Sequence, residues 1–186
     1  TLELENYDED IMNITNRTQT NAGTYNVVIT LSDTANYVWA TTPNEEVTFS
    51  FVIEKATVDK PTAANQTFTY NGEEQEFVLS GVNNLMTVTG NKAKLAGNYT
   101  VRITLNDTNN YKWSTDPQEV VIFEYTIEKA KVNKPTADTT IFVYNKTEQT
   151  YEPVGFNNTL MNITGDKRTN AGSQTVTVTL KNTANY

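Results

Sequence analysis

Neither cysteine nor histidine occurs in the sequence. Without cysteine there is no disulfide, no thiol nucleophile and no thiolate-bound zinc. Without histidine the usual proton carrier near neutral pH and the commonest metal ligand are missing too. Basic side chains are outnumbered 14 to 22, and the net charge of -8 is spread along the chain. That balance excludes the basic footprint of a nucleic-acid binder and favours solubility. The sequence has no apolar run of membrane-spanning length and no signal-peptide pattern, so membrane insertion is not expected. Hydrophobic content is a modest 37%, yet there are 10 Tyr, 7 Phe and 2 Trp, so a core has to be built on a few large side chains.

What the sequence does contain is itself, repeated. Asn21 to Val58 aligns without gaps on Leu95 to Val132, with 22 identities in 38 positions, and a third version runs from Ala171 to Tyr186. The period is 74 residues between the first two copies and mostly 75 between the second and third. The extra residue falls where Phe156-Asn157-Asn158-Thr159-Leu160 replaces Val82-Asn83-Asn84-Leu85, a change that marks a surface loop. Residues 1–58 therefore read as a partial first repeat, 59–132 as a complete second, and 133–186 as a third lacking its last strand. The sequence begins and ends inside a repeat and is expected to be a piece of something longer.

Period-two alternation predicts strands. Tyr99, Val101, Ile103 and Leu105 share one face, as do Tyr25, Val27, Ile29 and Leu31, and Val176, Val178 and Leu180. The last strand carries Val47, Phe49, Phe51 and Ile53 in one copy and Val121, Phe123, Tyr125 and Ile127 in the next. Shorter strands are expected at Phe68 with Tyr70, Phe77 with Leu79 and Met86 with Val88. Their third-copy counterparts are Phe142 with Tyr144, Tyr151 with Pro153 and Met161 with Ile163. Asn71-Gly72 is a hairpin signal, and Gly23 and Gly97 mark backbone bends. No window shows a helical period. The fold class expected is all-β: tandem antiparallel β-sandwich units of about 74 residues. Between units, Ile53 to Pro61 and Ile127 to Pro135 contain no Gly or Ser and end in proline, so the joints are expected to be stiff and the array a semi-rigid rod.

The block AGTYNVVITLSDTANYVW, the long strand ending IEKA and the joint ending KPT resemble the bacterial immunoglobulin-like repeats, including MBG-type domains, of large cell-surface and secreted proteins. The resemblance covers the whole chain, with Gln174 departing from the tyrosine of the other copies. It implies an extracellular, cell-surface location and a structural role as stalk or spacer of an adhesin-like protein. Its partners would be adjacent repeats of the same polypeptide, with host glycan or protein engaged through another domain. Some related surface repeats are similar to β-grasp folds, which is the alternative architecture. No catalytic residues come with the family.

Each group of candidate residues has a plain structural reading beside the chemical one. Asn36, Tyr37 and Trp39, with Asn110, Tyr111 and Trp113, form either a sugar-stacking platform or an aromatic cap on the core. Asp8, Glu9 and Asp10 are either a calcium loop or a solvated acidic turn. Asn-x-Thr triplets at Asn13, Asn65, Asn98, Asn106, Asn145 and Asn162 are uninformative where Asn and Thr are so abundant. A lysine-asparagine isopeptide crosslink would need Lys60, Lys129 or Lys134 beside a buried carboxylate such as Glu54 or Glu128. Asp33 and Asp107 lie in Asp-Thr-x-Asn-Tyr turns, where aspartate ordinarily bonds nearby amides. No nucleophile elbow, phosphate loop or metal-ligand cluster is present. The protein is read as non-catalytic, with no catalytic, cofactor-binding or metal residues. The alternatives are a host glycan- or protein-binding module using the loop from Gly81 to Met86, and a surface-filament subunit completed by strand pairing.

Overall fold

The computed structural model describes residues 2–41, 46–115 and 120–186. Among these there is no helix, so none is long and apolar enough to cross a membrane, and the class is all-β. The first copy holds β1 (Met12–Thr15), β2 (Gly23–Leu31), β3 (Val47–Ile53) and β4 (Ala56–Val58). The second holds β5 (Phe68–Thr69), β6 (Gln75–Glu76), β7 (Met86–Thr89), β8 (Lys92–Ala93), β9 (Gly97–Leu105), β10 (Tyr111–Trp113) and β11 (Val120–Glu128). The third holds β12 (Gln149–Thr150), β13 (Met161–Thr164), β14 (Lys167–Arg168) and β15 (Thr177–Leu180).

The chain gathers into two compact units whose boundaries differ from those of the sequence copies. One comprises Thr1–Thr62, Ser80–Thr87 and Ile103–Val121. Here β1, β2 and β3 form a sheet in that order, antiparallel throughout, with Ile14 opposite Ile29 and Tyr25 opposite Phe51. The Tyr25 and Phe51 rings stand 5.6 Å apart across that pair, a contact that adds to simple area burial. Val27 and Ile29 are buried on the face that their alternation selects. In the same unit β4 and β10 pair in parallel.

The other unit comprises Ala63–Leu79, Val88–Arg102 and Ile122–Tyr186. Its centre is Tyr125, whose ring lies 5.1 Å from Phe77, 5.4 Å from Tyr99 and 5.4 Å from Phe68. Burial pushes the Tyr125 phenol above its ordinary pKa, with Tyr99 and Glu74 adding to the effect. Two-stranded pairs β6-β8, β12-β14 and β13-β15 complete this unit.

The second copy's main sheet has the order β5-β11-β9-β7. Val101 and Ile103 on β9 are fully buried, as the period-two pattern requires. Three expectations fail locally. Phe77 with Leu79 and Tyr151 with Pro153 lie just past β6 and β12, outside any strand. Asn71-Gly72 makes a turn, with Gly72 at φ 84° and Asn71 Oδ1 accepting the Glu73 amide at 2.9 Å, but not a hairpin. The strands flanking it have other partners: β5 lies parallel to β11, and β6 pairs with β8. Phe142 and Tyr144 are exposed and outside any strand. Phe68, the second-copy counterpart of Phe142, owes its strand to its pairing with β11, where it lies opposite Ile127.

Candidate functional site

The three Asp/Asn-Thr-x-Asn-Tyr turns are where the fold concentrates its polar side-chain chemistry. In the second copy, Asp107 Oδ1 accepts the amides of Asn109 at 3.0 Å and Asn110 at 3.1 Å, and Oδ2 accepts Asn110 Nδ2 at 2.7 Å. The Tyr111 amide donates back to the Asp107 carbonyl at 3.1 Å and closes the turn. Held by its amide group, Asn110 turns its Oδ1 toward the first copy, where it accepts the Ala22 amide at 2.7 Å. Its Nδ2 also donates to Asn21 Oδ1 at 3.2 Å. Both donors and the acceptor of this side chain are satisfied, which fixes its orientation.

The backbone finishes the joint. The Asn110 carbonyl accepts the Ala56 amide at 2.8 Å, and from there β10 runs parallel to β4, with Trp113 opposite Val58. Lys55 Nζ donates to the Thr108 carbonyl at 2.6 Å. The Lys112–Glu54 ion pair at 3.8 Å is solvent-exposed and contributes little.

The same bonds recur one period on. Asn182 Oδ1 accepts the amides of Ala184 at 3.1 Å and Asn185 at 3.2 Å, and Asn185 Oδ1 accepts Ala96 N at 2.9 Å. The Asn185 carbonyl accepts the Ala130 amide at 3.0 Å, and Lys129 Nζ donates to the Thr183 carbonyl. Among the described residues Asn185 is the buried polar one, 2% exposed, and the Tyr186 ring meets Tyr70 edge-on at 5.3 Å. The first-copy turn has the same internal wiring, from Asp33 Oδ1 to the amides of Ala35 and Asn36, yet Asn36 and Tyr37 stand exposed and Tyr37 to Trp39 form no strand.

Asn110 and Asn185 are therefore latches between neighbouring copies, a role that reading the sequence missed. The available signal was an asparagine at the same place in every copy, at 36, 110 and 185, always before tyrosine. An acceptor left off a half-buried amide costs about 1–3 kcal/mol. Asn110→Ala and Asn185→Ala are each expected to lose that much stability, whereas Asn36→Ala should stay within about 0.5 kcal/mol. Chemical denaturation of the three variants checks this, and equal effects at all three positions would contradict the assignment.

No family model, curated protein or solved structure matches this chain. Function must be argued from the site itself.

The other candidate residues are dispersed. Trp113 is 4% exposed with its Nε1 unpartnered, so it offers no open stacking face, and Tyr111 is half-buried. Asp8 Oδ1 accepts the Asp10 amide at 2.9 Å, the same turn bond that Asn83 makes to Leu85 and Asn157 makes to Thr159. Its part in the loop is thus the one an uncharged side chain fills in the other copies. Lys60 is half-buried, while Lys129, Lys134, Glu54 and Glu128 are exposed, so these residues assemble no buried crosslinking trio. Of the Asn-x-Thr asparagines, Asn98 and Asn106 are engaged with Thr126 and Thr87.

The Asp107 carboxyl sits below its ordinary pKa because the Asn110 side chain and then the Asn110 amide bond its ionised form, with Lys55 assisting. Asp33 is lowered by the Asn36 side chain and amide in the same way. A depressed carboxylate stabilises the fold above its unfolded pKa, and that contribution disappears as pH falls through the folded value. The joint at Asn110 should hold from neutrality to about pH 4 and weaken below it, while the joint at Asn185, built on uncharged Asn182, should not respond. NMR titration of the two latch side-chain amides reads this difference. Asp107→Asn should remove the acid sensitivity, and its persistence in that variant would refute the cause given.

Proposed function

We propose that this chain is a run of immunoglobulin-like β-sandwich repeats serving as a non-catalytic stalk or spacer in a bacterial cell-surface protein. The observation that carries this reading is the pair of latches at Asn110 and Asn185, each of which accepts an alanine amide of the preceding copy. At both, side-chain chemistry is used to fix one copy of the sequence to the next rather than to hold a ligand. A parallel strand pair within the joint at β4 and β10 supports it further, because a hydrogen-bonded ladder resists bending more than a bare linker does. The sequence resemblance to surface-protein repeats points the same way.

A spacer must lengthen in proportion to its copies. Chains carrying one, two or three additional versions of residues 59–132 should show a maximum dimension in X-ray scattering that rises by about 30–40 Å per added copy. Growth at constant cross-section is the expected result. Compaction, with the dimension rising only as the cube root of mass, would remove the spacer reading.

A further inference from the structure

In the sheet β5-β11-β9-β7, the last strand of the second copy, β11, is held on both sides. On one side β5 runs parallel to it, with Phe68 opposite Ile127 and Thr69 opposite Glu128. The Tyr70 amide adds a bond to the Glu128 carbonyl at 2.8 Å. On the other side β9 supplies Asn98, whose Oδ1 accepts the Thr126 hydroxyl at 2.8 Å, and Tyr99, whose ring stacks on Tyr125 at 5.4 Å. Side chains interlock along the same line: the Phe68 ring meets Tyr125 edge-on at 5.4 Å, and Ile127, opposite Phe68, is buried. For β5 to slide along β11, the Phe68 ring has to leave its contact with Tyr125.

The direction of this pair decides what tension does to it. In chain order β5 is the first strand of the second copy and β11 is the last. Tension along the chain draws the N-terminal end of β5 one way and the C-terminal end of β11 the other. Because the strands are parallel, those two ends lie at opposite ends of the pair, so the strands are driven to slide and their evenly spaced bonds bear the load together. An antiparallel pair, such as β2 with β3 or β13 with β15, would place the same two ends side by side, and its bonds would open one at a time.

We propose that β5 and β11 form a shear clamp, a mechanical device that gives the second copy its resistance to tension along the chain. The sequence has no cysteine for a disulfide, and the lysines and glutamates considered for a crosslink assemble no buried trio, so this load falls on non-covalent contacts. The inference goes beyond the spacer reading and fails separately from it: length per added copy tests the spacer, whereas force against direction tests the clamp.

Because the sequence lacks cysteine, introduced cysteine pairs can define the attachment points for single-molecule pulling of the 186-residue chain. Thr67→Cys with Lys131→Cys pulls before β5 and after β11, in shear. Glu73→Cys with Lys131→Cys pulls on the C-terminal ends of both strands, in unzipping. Thr67, Glu73 and Lys131 are all exposed. At equal loading rate the first pair should require about twice the force of the second, or more. Equal forces, or a lower force in the first geometry, would overturn the clamp. Chemical denaturation without load should give the two variants the same stability, so that a difference in force reports direction alone. Should a cysteine at 67 or 73 prevent folding, the exposed positions Asn65 and Glu74 supply the same two directions and the same comparison.

Discussion

Gly90→Ala is expected to destabilise the protein by about 2–5 kcal/mol, the sum of left-handed strain and overpacking. Gly90 turns the chain between β7 and β8 at φ 78°, and a β-carbon there would fall well inside van der Waals separation of the Thr100 carbonyl oxygen. That oxygen belongs to the backbone of β9, so no rotamer change can relieve the overlap. Gly165 stands in the same relation to Thr175 at φ 76° and should behave alike. Gly72, at φ 84° but with open space around it, separates the two causes: Gly72→Ala should cost only the strain, about 1–2 kcal/mol. In the first copy Asn16 occupies the corresponding place at φ 60°, so Gly90→Asn should recover part of the left-handed strain while keeping the overlap, since it carries the same β-carbon. Thermal melts rank these variants, and a Gly90→Ala cost no greater than that of Gly72→Ala would show that the close approach has no energetic weight.

Trp113→Ala is expected to cost about 3–5 kcal/mol. The side chain is buried on β10 opposite Val58, itself buried on β4, so truncation opens a cavity within the ladder that joins the first and second copies. Its Nε1 has no partner, and Trp113→Phe therefore gives up packing volume without leaving a new unsatisfied group. The phenylalanine variant should keep most of the stability. Were Trp113 instead a sugar-stacking residue, alanine would abolish glycan capture at an unchanged melting temperature. A preserved melt in Trp113→Ala would thus remove it from the core.

What the sequence made legible was whatever is encoded locally. The alternation at Val101, Ile103 and Leu105 needs only neighbours two residues apart, and all three are buried. The Asn71-Gly72 turn was equally visible, but which strands it would leave adjacent was not, because that choice belongs to β11 and β8 farther along the chain. The joint was read as a proline-limited linker. Its central element, β4, is three residues long, too short for alternation to register, and its partner β10 lies in a parallel pairing that sequence distance hides. Asn110 was noticed only as part of an aromatic cluster. Its function depends on the Ala22 amide, supplied by the preceding copy, and no local pattern announces an acceptor whose donor is so remote.

The assignment of Asn110 and Asn185 as latches is tested most directly by amide hydrogen exchange at Ala22 and Ala96, whose acceptors are those two side-chain oxygens. Both amides should be protected in the native chain. Ala22 alone should lose protection in Asn110→Ala and Ala96 alone in Asn185→Ala, with the strand amides of β2 and β9 unaffected. Exchange of either alanine at the rate of an unstructured peptide in the native chain would contradict the latch and, with it, the account of how one copy is fixed to the next.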